Sequence, residues 1–146
     1  MGVKTNIREA AEIFRDAIEN IKYDLPVRDR MSGFPHGCCD DATDLFATYL
    51  YKEFRLKSIR VDGAFYNSFK GYEERHTWLE IEEIIIDLTA DQFKEYTQIY
   101  IGPYDKFHRK YDLVKIPNYR GISDLSDNCH SRMEEIYERI VDEIER

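Results

Sequence analysis

The chain has 146 residues, the usual size of one domain, and 14% of them are aromatic, which is enough bulk for a hydrophobic core. Its 29 acidic and 21 basic residues give a net charge of −8, which disfavours binding to nucleic acid or to an anionic membrane surface. No apolar run approaches the roughly 20 residues that cross a bilayer, and the N-terminal residues lack the apolar core of a signal peptide. We therefore expect a single cytoplasmic domain over residues 1–146.

Hydrophobic periodicity predicts two helices in the first third of the chain. Apolar residues at three- and four-residue spacings predict an amphipathic helix from about Thr5 to Tyr23. A polar connection follows over residues 24–31, and residues 32–37 are rich in Gly and Pro. A second apolar stripe then predicts a helix that begins near Cys38 or Cys39 and ends near Phe54.

Alternating and β-branched residues predict strands in the middle of the chain. Residues 59–65 alternate as in a half-buried strand, and after a loop over residues 66–74 come two further strands at 76–81 and 84–88. The last of these is continuous and apolar, as in a central strand buried on both faces. Residues 92–128 are rich in Tyr and polar residues and predict no regular element, whereas the spacing from Met133 to Ile144 predicts a final helix. The sequence therefore predicts an α+β domain.

The second predicted helix opens on the segment Gly37-Cys38-Cys39-Asp40-Asp41-Ala42. A thiol in the first turn of a helix faces unpaired backbone N–H groups and the positive end of the dipole, which both favour the nucleophilic thiolate. Gly37 lets the chain pass close to a substrate carbonyl, whose developing oxyanion the N–H groups would bind. The pattern does not separate the two cysteines, and Cys39 also fits a small apolar residue of the core. Three cysteines, two of them adjacent, suit a reducing compartment better than a disulfide framework.

A second candidate feature is the hairpin that joins His76 to Asp87. If Glu82 and Glu83 form a two-residue turn, Trp78 lies opposite Asp87, and His76 becomes the diagonal neighbour of that carboxylate on the same face. A three-residue loop would separate the two side chains, so the prediction depends on register. An acid beside an imidazole fixes its tautomer and stabilises the imidazolium, as a Cys–His–Asp triad requires.

Together these motifs resemble the transglutaminase-like branch of the papain-type superfamily, which includes arylamine N-acetyltransferases and bacterial peptidases and amidases. The resemblance covers residues 37–88 and lies in Gly37-x-Cys39, His76-x-Trp78-x-Glu80 and Ile86-Asp87, in that order. It implies a papain-like fold in which the cysteine helix packs on a small antiparallel sheet, here with extra N- and C-terminal helices. The short chain and the Glu82-Glu83 turn depart from the family pattern.

The resemblance implies that Cys39 is the nucleophile, His76 the general base and Asp87 the orienting acid. Gly37, Cys38, His36 and Trp78 would shape the site, with Cys38 at the variable middle position of the Gly-x-Cys motif. The expected reaction is acyl transfer from a peptide, a protein or a small amide or thioester, without a cofactor. Water would make the enzyme a peptidase, amidase or deamidase, and an amine would make it a transferase.

Other interpretations remain open at this point. His76 also fits a surface residue at a strand edge, Asp87 also fits a cap on the turn that follows, and the fold also suits an inactive protein-binding module. A metal-binding domain would draw on His36, Cys38, Cys39, His76, His108, Cys129 and His130. Adjacent cysteines do not easily reach one tetrahedral zinc, and the usual C-x₂₋₄-C spacing is missing, so we expect no metal. His108, Cys129 and His130 are assigned to the surface or to packing.

Overall fold

The computed structural model describes the backbone of residues 3–146, with the side chains of residues 6–126 and 128–146. This part of the chain forms four α-helices and one five-stranded antiparallel sheet, which confirms the predicted α+β class. The helices are α1 (Val3–Ile21), α2 (Cys39–Phe54), α3 (Lys106–Arg109) and α4 (Asp127–Glu145). The strands are β1 (Ser58–Asn67), β2 (Tyr72–Ile81), β3 (Ile84–Asp87), β4 (Tyr100–Gly102) and β5 (Asp112–Tyr119), in the spatial order β4-β3-β2-β1-β5.

The three long helices cover one face of the sheet and form the larger core. Phe14 of α1 and Phe46 of α2 are fully buried, with ring centroids 5.3 Å apart. Leu79 and Ile86 contribute to the same core from the sheet. The apolar stripes that predict α1, α2 and α4 are the faces that this core buries, and such burial stabilises a fold by about 1.5–3 kcal/mol per large side chain. No described helix has an apolar stretch long enough to span a bilayer.

The turn between β2 and β3 has the two residues that the sequence predicts. Leu79 pairs with Ile86 and Ile81 with Ile84, which leaves Glu82 and Glu83 as the turn. Both have positive φ, 51° and 67°, the conformation of a type I′ turn that normally selects Asn or Gly. The predicted hairpin register is confirmed. Its turn requires both glutamates to adopt a backbone conformation that Glu rarely adopts.

The face of the sheet away from the long helices is covered by a second, aromatic cluster. Trp78 and Ile85 are fully buried there, under Phe107 and Tyr111 from the segment that follows β4. Glycine at position 63 makes this close packing possible, since a Cβ there would lie 2.8 Å from Cβ of Tyr111. This segment separates β4 from β5 and holds α3.

The structure differs from the sequence prediction in the segment after β3 and in the length of the loop between β1 and β2. β4, α3 and β5 all lie in residues 92–128, where no regular element is predicted. β5 is an edge strand whose first seven residues are exposed, and it contains Pro117, so it lacks alternation and has a residue that strands admit only at edges. The loop predicted over residues 66–74 is also too long, because β1 continues to Asn67 and β2 begins at Tyr72.

Candidate active site

The two adjacent cysteines occupy different environments at the start of α2. Cys38 is the N-cap residue, and its carbonyl accepts the first helical hydrogen bond from the amide of Ala42 at 2.9 Å. Its side chain is fully buried in the larger core, and this burial, with Asp41 nearby, raises the pKa of the thiol to about 12. Cys39 begins the helix and is partly exposed. The two thiols therefore differ in solvent exposure, and Cys39 is the one that faces out of the core.

Ionic contacts fix the approach of the chain to this helix end. The buried carboxylate of Asp41 accepts hydrogen bonds from Arg30 at 2.7 Å and from Arg132 of α4 at 2.8 Å. Arg132 also bonds to Asp29 at 2.7 Å. Gly37 has a φ of 71°, a conformation that favours glycine. The segment before Cys39 is thus tied to both α2 and α4.

The His76 ring and the Asp87 carboxylate meet across the β2–β3 hairpin. Nε2 of His76 lies 2.6 Å from Oδ2 of Asp87, and each residue is only 1% exposed. The neighbour relation predicted from the register is confirmed, and the surface interpretation of His76 is wrong. Oδ1 of Asp87 accepts the backbone N–H of Thr89 at 3.2 Å, so the carboxylate caps the next turn as well.

The shared hydrogen bond makes the two groups an ion pair. Burial alone lowers the pKa of His76, but the charge and hydrogen bond of Asp87, together with Cys39, outweigh it and raise this pKa from 6.5 to about 9. Burial alone raises the pKa of Asp87, but the charge of His76 and the hydrogen bonds from both histidines lower it to about 2. An imidazolium paired with a carboxylate is therefore the resting state near neutral pH.

The thiol of Cys39 contributes to the raised pKa of His76, although no hydrogen bond joins the two side chains. Nδ1 of His76 is buried without a fully formed hydrogen bond to any described group, so the contact is looser than the bond to Asp87. Such loose contacts are common in active sites without substrate. Since Nε2 is held by Asp87, Nδ1 is the ring nitrogen left for the thiol.

His108 also belongs to this group, although the sequence pattern does not predict it there. Nε2 of His108 lies 2.7 Å from Oδ2 of Asp87, the oxygen that also bonds to His76. Its Nδ1 lies 2.6 Å from Oδ1 of Asp105, the N-cap residue of α3. Assigning His108 to the surface is therefore wrong, because it is fully buried; assigning it to packing is correct but omits its hydrogen bonds to two acids. The Asp105-x-x-His108 spacing of a helix N-cap relates these two residues to each other, but it does not relate His108 to Asp87.

The remaining predicted residues have different positions around the site. Trp78 is fully buried and packs edge-on against His108, with ring centroids 4.8 Å apart. It therefore lines the space in which the imidazole rings lie. Phe93 packs edge-on against His76, with ring centroids 4.8 Å apart. The His36 side chain is exposed and forms no hydrogen bond or ion pair with the described residues. Cys129 is exposed on α4, and His130 bonds to the Leu125 carbonyl at 2.8 Å.

The histidines and the acid have the donor types of a metal site. His76, Asp87 and His108 each offer one ligand atom, and these atoms lie within 4.8 Å of one another. A bound ion would displace the two short hydrogen bonds to Oδ2, and a catalytic ion also needs an open position, whereas all three side chains are buried. We therefore interpret the cluster as a hydrogen-bond network.

Comparisons of the chain with known protein families, with curated proteins and with solved structures found no significant match.

Proposed function

We propose that the protein is a cysteine-dependent acyl-transfer enzyme with a papain-like, transglutaminase-like arrangement of Cys39, His76 and Asp87. The observation that carries this proposal is the asymmetry of the His76 ring. Nε2 is fixed by Asp87 at 2.6 Å, whereas Nδ1 is buried without a hydrogen-bond partner among the described residues, and Cys39 is among the groups that raise the pKa of the ring. A ring oriented by an acid and turned toward a thiol is what an activated cysteine nucleophile needs.

The reaction follows from the positions of these groups. The Cys39 thiolate attacks the carbonyl carbon of an amide or thioester, forming the C–S bond and a tetrahedral oxyanion. The backbone N–H groups of Cys39 and Asp40 precede the first helical hydrogen bond and would donate to that oxyanion, whereas the N–H of Asp41 already donates to Oδ1 of Asp40. His76 then gives its Nδ1 proton to the leaving amine or thiol as the C–N or C–S bond of the substrate breaks. Asp87 holds the imidazolium in place until then.

The acyl-enzyme is resolved by the reverse proton path. His76, now neutral at Nδ1, takes a proton from water or from an amine as the oxygen or nitrogen attacks the thioester carbonyl. The C–S bond breaks, and the Cys39 thiolate and the His76 imidazolium are restored. Water gives hydrolysis and an amine gives transamidation. An inactive protein-binding module would have the same fold without the reactive thiol.

The direct test is the relative reactivity of the three thiols. The protein is treated with limiting iodoacetamide at pH 7, and the alkylation of each cysteine is followed by peptide mass spectrometry. A free thiol is only a few per cent ionised at that pH, so we expect Cys39 to react at least about tenfold faster than the exposed Cys129. His76→Gln and Asp87→Asn should remove most of this advantage, while His130→Gln, which alters a histidine of α4, should not. Equal reactivity of Cys39 and Cys129 would leave the protein as a binding module.

A further inference from the structure

Asp87 is shared by two histidines, of which the proposed reaction uses only one. Its Oδ2 bonds to Nε2 of His76 at 2.6 Å and to Nε2 of His108 at 2.7 Å. His108 in turn bonds through Nδ1 to Asp105 at 2.6 Å. Four titratable side chains therefore form one continuous chain of hydrogen bonds, from the partly exposed Asp105 to the buried His76.

We propose that His108 and Asp105 are positioning residues, which extend the His76–Asp87 pair into a relay of alternating acids and bases. The inference deepens the proposed function and rests on it, because the relay acts through His76. Neither residue touches the thiol or the reacting atoms. Their part is to hold the Asp87 carboxylate in one orientation and to limit how tightly it holds the proton of His76.

The donors and acceptors available to each group determine the charges along the relay. An ionised carboxylate has no hydrogen to donate, so each ring nitrogen that faces one must carry the hydrogen. His108 faces carboxylates through both nitrogens, which makes it a cation when Asp87 and Asp105 are both ionised. The sequence of charges is then negative at Asp105, positive at His108, negative at Asp87 and positive at His76.

The surroundings of His108 are those of a fixed group. Its ring is fully buried, with Trp78 edge-on at 4.8 Å and Tyr100 stacked at 5.3 Å. Asp105 is held by the backbone N–H of His108 at 2.9 Å and by the Tyr96 hydroxyl. A residue that only filled space would avoid the free-energy penalty of burying polar groups, whereas here both nitrogens have acidic partners.

The relay changes the proton affinity of His76 in a definite direction. The titratable groups that face His76 are Asp87 from β3, Cys39 from α2, His108 from α3 and Tyr111 before β5. Those that face His108 are Asp87, Asp105, Tyr96 and Tyr100. A cationic His108 opposes a second positive charge on His76, whose ring centroid is 6.2 Å away. It also draws negative charge from the shared oxygen, so the proton of His76 is easier to pass to a leaving group.

The test is an NMR titration of the His76 imidazole in the full chain, with labelled histidine, for wild type, His108→Gln, Asp105→Asn and the control His130→Gln. Removing the cation in His108→Gln should raise the His76 midpoint by about one pH unit. Asp105→Asn should also raise it, because His108 loses the acid that keeps it charged. If the loss of the Asp105 charge acted directly on His76, it would lower the His76 midpoint instead. A lowered or unchanged midpoint in Asp105→Asn overturns the relay, and His130→Gln should match wild type.

Failure of the relay and failure of the proposed function are separable in these samples. Asp105→Asn replaces a partly exposed side chain with one of the same size, so we expect this variant to fold. It therefore tests the relay even if His108→Gln does not fold. If wild-type Cys39 alkylates no faster than Cys129, the enzyme proposal fails whatever the titration shows. If Cys39 is fast and Asp105→Asn leaves the His76 midpoint unchanged, only the relay is wrong.

Discussion

His76 bonds to Asp87 along a diagonal of the β2–β3 hairpin, not across a directly paired position. Leu79 pairs with Ile86, so Asp87 lies opposite Trp78, and His76 is two residues further along β2 on the same face. Diagonal neighbours are roughly 7–8 Å apart at the backbone, and these two side chains close that gap to 2.6 Å. The pairing register therefore determines whether the imidazole meets its acid.

The ion pair gives a pH dependence to stability. The folded pKa of His76, about 9, lies above its ordinary 6.5, so its stabilising contribution is complete below pH 6.5 and is lost as pH rises through 9. The folded pKa of Asp87, about 2, lies below 3.8, so its contribution is lost as pH falls from 3.8 towards 2. We expect urea unfolding of the wild type to show a loss of about 3–4 kcal/mol of stability between pH 6.5 and 9. His76→Gln should lack this loss, and parallel curves for the two proteins would contradict the pairing.

The buried thiol of Cys38 should be protected in the native protein. Its pKa is raised to about 12 by burial and by Asp41, so at pH 9 it stays protonated as well as inaccessible. With excess iodoacetamide at that pH, we expect two cysteines to be modified in the folded protein and the third only in urea. Peptide mass spectrometry identifies the late site. Modification of native Cys38 as fast as Cys129 would show that α2 does not bury it.

The strained turn offers a way to stabilise the fold. Glu82 and Glu83 both have positive φ, and replacing them with Asn and Gly removes that penalty. We expect the double substitution to raise the free energy of unfolding by about 1 kcal/mol and the melting temperature by about 3 °C. The matched control is Glu82→Gln with Glu83→Gln, which removes the charges and keeps the backbone penalty. A gain of the same size in the control would assign the effect to charge.

Gly63 should not tolerate a side chain. A Cβ at this position would lie 2.8 Å from Cβ and 2.9 Å from Cγ of Tyr111, and Gly63 pairs with His76 in the sheet. We expect Gly63→Ala to destabilise the fold by about 1–3 kcal/mol through overpacking. Gly33→Ala is the control, because nothing lies within 4 Å of a Cβ built there. Chemical denaturation of both variants measures the difference, and equal stabilities would contradict the tight packing of Tyr111.

A metal chelator should change neither the stability of the protein nor the reactivity of Cys39. The hydrogen bonds at 2.6 and 2.7 Å already satisfy Oδ2 of Asp87 and both Nε2 atoms, so an ion would gain little by replacing them. We expect EDTA to leave the melting temperature and the rate of Cys39 alkylation unchanged. A rise in melting temperature with one equivalent of Zn²⁺, absent in His108→Gln, would instead show a metal site.

Spacing within the sequence was enough to predict the parts of the site whose geometry is local. The start of α2 at Cys39 follows from an apolar stripe with three- and four-residue steps, and the contact of His76 with Asp87 follows from a two-residue turn. His108 was not predictable in this way. It reaches Asp87 from α3, a four-residue helix between β4 and β5, and no periodic pattern relates its position to the sheet. β5 was missed because an exposed edge strand with a proline has no alternation to detect.

The proposed nucleophile and the proposed base belong to different layers of the protein. Cys39 lies at the start of a helix, while His76 and Asp87 lie on neighbouring strands of the sheet. One turn into α2, the Thr43 hydroxyl donates to the carbonyl of Thr77, the residue after His76, at 3.3 Å. A slide of the helix along the sheet would therefore change the separation of sulfur and imidazole and leave the acid–base pair untouched. In the proposed reaction, the reactivity of Cys39 would therefore depend on how closely α2 packs against the sheet.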